Sequence, residues 1–151
     1  MSAWRAALFV ISLLLPAIPA APSSAADTAS ESTCINCHLL LADKLQTPAA
    51  AFNDDVHKQA GLGCVGCHGG NPTGKEPEDA MDPVKGFRGV PATAQIPDLC
   101  GGCHRNAVLI KQYAPNLPTD QLPQYWTSVH GRRLKAGDTN AATCVSCHGA
   151  H

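Results

Sequence analysis

The sequence predicts a small, mainly α-helical chain with extensive loops and little or no β-structure. Three observations lead there. The chain has 151 residues, room for one small domain, and carries 13 Gly and 12 Pro with only 5% aromatics, so its elements are short and often interrupted. No stretch alternates apolar and polar residues as a half-buried strand does, whereas several short stretches carry helix caps. The eight cysteines fall into four pairs of identical spacing, which points to repeated small units. A chain this short buries a thin core and usually needs covalent staples or a bound group.

The first 26 residues are expected to be removed. Met1 to Arg5 carries one positive charge, Ala6 to Ala21 is apolar, and Ser24-Ala25-Ala26 offers a cleavage site, the layout of a secretory signal peptide. The apolar run is short for a membrane span and contains Pro16 and Pro19. No cysteine precedes Cys34 to take a lipid, and no later segment is apolar enough to span a bilayer. The mature chain, 27–151, is therefore expected in the periplasm or outside the cell. The whole sequence has 11 Lys+Arg and 12 Asp+Glu, a balance of −1; loss of Arg5 with the leader makes it −2. No basic patch suggests a nucleic-acid partner.

An exported chain with eight cysteines would ordinarily be read as a four-disulfide framework. The spacing argues otherwise. The pairs read Cys34-Ile-Asn-Cys37-His38, Cys64-Val-Gly-Cys67-His68, Cys100-Gly-Gly-Cys103-His104 and Cys144-Val-Ser-Cys147-His148. Disulfides and zinc sites use paired cysteines but do not require a histidine after each pair. Cys-x-x-Cys-His is the attachment signature of c-type haem. Two thiols add to the two vinyl groups of one porphyrin, and the adjacent histidine becomes the proximal ligand of the iron. The expectation is four c-type haems, with Cys34, Cys37, Cys64, Cys67, Cys100, Cys103, Cys144 and Cys147 as attachment points. His38, His68, His104 and His148 would be the proximal ligands. The fold is then haem-cored, the haems supplying the interior that the side chains lack.

The mature chain reads as two two-haem units, 34–70 and 100–151, joined by a Pro/Gly-rich linker, 71–99, with the acidic residues Glu76, Glu78, Asp79 and Asp82. Each unit opens with a motif followed by an apolar stretch of helical character, Leu39 to Leu45 and Arg105 to Lys111. A capped helix holding a Val-His pair follows, Val56-His57 and Val129-His130, and a second motif closes the unit. Thr47-Pro48 is expected to start the first of these helices and Gly61 to end it; Thr119-Asp120 is expected to cap the second. The linker is expected to lie, ordered or semi-ordered, over the surface.

Three histidines remain for the distal iron positions. His130 follows Trp126 by four residues and Leu122 by eight, which would put all three on one helical face. His57 lies near Phe52 and Val56 on a similar helix, and His151 follows His148 by three. The fourth iron lacks a histidine. Met81 is a weak candidate for it; the alternatives are an open iron, a ligand from another subunit, or one from beyond this sequence if it is one end of a longer cytochrome.

On these residues the chain resembles the periplasmic multihaem c-type cytochromes, the four motifs carrying the likeness over Cys34 to His148. The stretch Tyr125-Trp126-Thr127-Ser128-Val129-His130-Gly131, with Cys144 to His151 closing the chain, is similar to a recurrent segment of larger bacterial members. The resemblance implies distal ligation by His130 and His151. It implies electron transfer among redox proteins, a donor and an acceptor, and oligomerisation is open. The expectation is a carrier and not an enzyme. Two other readings stay open. One is a reductase of the nitrite, hydroxylamine or peroxide type with one open haem, for which Lys111 with Tyr113 and Arg132 with Arg133 are the available polar groups. The other is a subunit of a haem wire.

Overall fold

The computed structural model describes residues 32–149; the expected leader and His151 lie outside them. Ten short α-helices follow in order among the described residues: α1 (Thr33–His38), α2 (Thr47–Ala51), α3 (Val56–Gln59), α4 (Cys64–His68), α5 (Pro77–Ala80), α6 (Ile96–His104), α7 (Ala107–Tyr113), α8 (Gln121–Thr127), α9 (Val129–Lys135) and α10 (Cys144–His148). No strand occurs among them. The mainly α, loop-rich class expected from the sequence is therefore found.

The helices are shorter than their apolar spacing suggests, and each break has a local cause. The stretch expected to be helical after the first motif forms only turns and a 3₁₀ segment, Asp43–Leu45, because Asp43 takes φ 56°. The helix expected to start at Thr47 breaks at Asp55, whose extended backbone (ψ 135°) starts α3 and whose side chain accepts from the His57 amide at 2.7 Å. The helix expected to run through His130 breaks at Ser128, which caps the Gly131 amide at 3.1 Å. Leu122, Trp126 and His130 therefore do not share one helical face: the first two lie on α8 and His130 on α9. Gly131 helps to fold this corner, since a Cβ there would collide with the Tyr125 carbonyl oxygen.

The buried apolar core is small: Phe52 in the first unit, and Ile110, Leu122, Leu134 and Ala141 in the second. Helix α6 is the centre of the second unit, packing on α7, α8 and α10, while α8 packs on α9. Gly101, inside the third motif, makes room for the Leu122 side chain, which a Cβ would overlap. By contrast Leu40 is 87% exposed, and Leu39, Leu41 and Leu45 are exposed beside it.

The linker holds α5 and the 3₁₀ turns Pro83–Lys85 and Thr93–Gln95, and it folds back on the first unit. The Pro72 carbonyl accepts from both the Thr33 amide and the Thr33 hydroxyl at 2.9 Å, tying it to α1. The Gly70 amide donates to Lys85, the Asn71 amide to Ala80 and the Arg88 amide to the His68 carbonyl. Asp79 pairs with Lys85 and accepts from Asn71. Gly69 permits this docking: its φ of 69° suits glycine, and a Cβ would strike the Gly86 carbonyl.

Candidate haem-binding site

Each motif lies on one turn of helix. Residues three and four apart share a helical face, so Cys-x-x-Cys-His turns two thiols and an imidazole to one side. No disulfide joins any of the eight cysteines; the first of each pair is partly buried and the second exposed. Local capping fixes these helices. Ser32, 2% exposed, accepts from the Cys34 amide ahead of α1, and Thr143 and Ser146 form a capping box ahead of α10.

The proximal histidines test whether the residues fit a haem. The Nδ1 of His38 bonds the Leu45 carbonyl at 3.0 Å, and that of His68 bonds the Gly89 carbonyl at 2.9 Å. A carbonyl only accepts, so each Nδ1 carries the proton and each lone pair sits on Nε2. A ligating histidine shows this arrangement, its other ring nitrogen donating to a carbonyl or carboxylate. Burial, then the neighbouring His57 and His148, hold the His104 imidazole below the usual histidine range, favouring the neutral form that a ligand needs. The residues fit the group.

The four motifs are adjacent in chain order. Cys34 shares a hydrogen bond with Cys64, which pulls the Cys34 thiol below its usual pKa, with the Ser32 hydroxyl adding to it. Cys100 shares one with Cys144; burial first, then that neighbour, push the Cys100 thiol up. Burial, then Cys103, push up the Cys67 thiol, so the second and third motifs are also within electrostatic reach. The first cysteine of the opening motif thus meets the first cysteine of the closing motif in both units.

Of the distal candidates, His130 joins the fourth motif. It lines a concavity of about 210 Å³ with Gln121, Tyr125, Thr143, Cys144 and His148. Gln121 Oε1 is buried and has no hydrogen-bond partner among the described residues. The Tyr125 hydroxyl donates to the Ala142 carbonyl at 3.0 Å and braces the loop before α10. The His57 ring centre lies 6.1 Å from that of His104, in the third motif. Met81 is 40% exposed at the end of α5. His151 lies outside the described residues. Sequence reasoning missed Asp55, whose Oδ1 lies 2.8 Å from His57 Nδ1. The shared order cap-Val-His, in Asp55-Val56-His57 and Ser128-Val129-His130, was the signal that could have found it.

No protein-family model matches the chain, and no solved structure matches it. The chain is similar to a C-type polyheme cytochrome (OmcC) of Geobacter sulfurreducens, 24% identical over 123 residues. The match covers 80% of this chain and 14% of that protein, so the chain spans about one seventh of the curated relative's length. No helix of the described residues is long and apolar enough to cross a membrane. The similarity is to a multihaem c-type cytochrome, and the four Cys-x-x-Cys-His motifs of this chain carry the spacing that c-type haem attachment requires.

Proposed function

We propose that the chain is an exported electron carrier that holds four c-type haems in a row and passes electrons between redox proteins outside the cytoplasmic membrane. The observation that carries this reading is that all four Cys-x-x-Cys-His motifs lie on helical turns, two of them with the histidine Nδ1 bonded to a backbone carbonyl as in a ligating histidine. Cys34 with Cys37, Cys64 with Cys67, Cys100 with Cys103 and Cys144 with Cys147 would hold the porphyrins. His38, His68, His104 and His148 would be the proximal ligands, and His57, His130 and His151 the distal ones. When bound, each haem supplies a one-electron Fe(III)/Fe(II) couple. The chain's residues do the rest. The carbonyls of Leu45 and Gly89 keep the proton on Nδ1 of His38 and His68 and orient the rings, so that Nε2 of each would be the ligating atom. The small protein core leaves much of the interior to be built by the macrocycles.

Electron paramagnetic resonance of the oxidised protein, with a reductive titration, tests the reading. Low-spin signals from at least the three irons that His57, His130 and His151 would complete, and uptake of four electrons per chain, are expected. A high-spin component that binds nitrite, hydroxylamine or peroxide would contradict it in favour of a reductase.

A further inference from the structure

We propose that His57 is the sixth ligand of the iron whose fifth ligand is His104, so that the first unit completes a haem of the second. The assignment rests on the four-haem reading above and goes beyond it by pairing two histidines far apart in the chain.

The geometry of the two rings points to it. Their centres lie 6.1 Å apart and their planes cross at 89°. An imidazole nitrogen sits about 2 Å from a metal that it ligates, and the ring centre lies about 1 Å behind it. Two imidazoles on opposite faces of one iron therefore stand roughly 6 Å apart, centre to centre. A plain edge-to-face contact spans the same range, and the surroundings of the pair decide between them. Asp55, whose side chain is only 11% exposed, sets its Oδ1 2.8 Å from Nδ1 of His57. The same oxygen accepts from the His57 backbone amide at 2.7 Å, which fixes the carboxylate that holds the ring. A carboxylate on Nδ1 leaves the lone pair on Nε2 and strengthens the histidine as a ligand, the outer-shell arrangement typical of metal-bound histidines. Asp55 is thus a positioning residue for His57. The second unit offers a contrast: His130, at the same place after its own cap, lies with the closing motif of its own unit.

The test uses the haem-loaded, full-length chain. Haem is counted first: absence of haem at Cys100 and Cys103 overturns the functional reading and the assignment together. With all four haems present, His57→Ala is expected to convert about one quarter of the iron from low spin to high spin, with added imidazole restoring it. The same substitution in a Cys100→Ala/Cys103→Ala background, which lacks the third haem, is expected to leave the other three unchanged. A His57→Ala protein that stays low-spin, or that loses a low-spin signal in the three-haem background, overturns the assignment and leaves the functional reading standing. Should His57→Ala not accumulate, two milder variants decide. His57→Met is expected to raise the midpoint potential of one haem. Asp55→Asn keeps the helix cap, since Asn caps as well as Asp, and is expected to raise the potential of that same haem. Neither shift is expected in the three-haem background, and a shift there refutes the pairing.

Discussion

In the second unit the motif helices rest on side chains: Leu122 fills the space left by Gly101 of α6, Ile110 and Leu134 are buried nearby, and the Tyr125 hydroxyl braces the segment before α10. In the first unit they rest on backbone. Phe52 is its one buried apolar residue among the described residues, and α1 and α4 are tied instead to carbonyls and amides of the linker at Pro72, Lys85, Arg88 and Gly89. The same order of motifs is thus supported in two ways. If the repeat serves to hold haems, as proposed, only the thiols and imidazoles need recur, and the scaffold around them is free to differ. The linker is then part of the first unit's fold.

The sharpest way to probe this contrast is a glycine pair. Gly69 (φ 69°, ψ −159°) and Gly149 (φ 73°, ψ 172°) follow the closing motif of each unit in nearly the same glycine-specific conformation. A Cβ at Gly69 meets the docked linker, while one at Gly149 meets nothing within 4 Å. Gly69→Ala is expected to cost about 4 kcal/mol, backbone strain and collision together. Gly149→Ala is expected to cost about 2 kcal/mol, from strain alone. Denaturant unfolding of the haem-loaded proteins measures both, and equal losses would mean that the linker does not press on the second motif. Between these in size, Leu122→Ala is expected to remove about 3 kcal/mol, whereas Leu40→Ala in the first unit, at an exposed site, should change stability by less than about 0.5 kcal/mol. A large loss at Leu40 would show a first-unit core that the buried residues do not include.

Smaller effects refine the picture. Tyr125→Phe removes the donor to the Ala142 carbonyl and should cost about 1 kcal/mol. Ser128→Ala removes the cap that starts α9 and should also cost about 1 kcal/mol. Thermal melts followed in the haem absorbance would register both, and Ser128→Gly should recover most of the second loss if capping is the cause.

The motifs were legible because c-type haem attachment, as proposed here, would draw two thioethers and one ligand from a single helical turn and so fix their spacing. The helical class was legible from the helix caps and the lack of alternating apolar and polar stretches. The helix breaks were not foreseen, although both have a sequence mark. Asp55 and Ser128 are good caps, but each stands where apolar residues on either side keep a helical spacing, and a continuous helix looked consistent. The carbonyls of Leu45 and Gly89 that orient His38 and His68 had no mark at all, since any residue supplies a carbonyl. Nor did the nearness of His57 to His104, two histidines far apart in the chain.

The central claim, four haems on one chain, is tested most directly by the intact mass of the purified protein after exposure to a thiol-alkylating reagent under denaturing, non-reducing conditions. The expected result is the mature chain plus four haems with no alkylated cysteine, all eight sulfurs being held in thioethers. A haem-free mass with eight alkylated thiols, or a mass showing disulfides in their place, would contradict it.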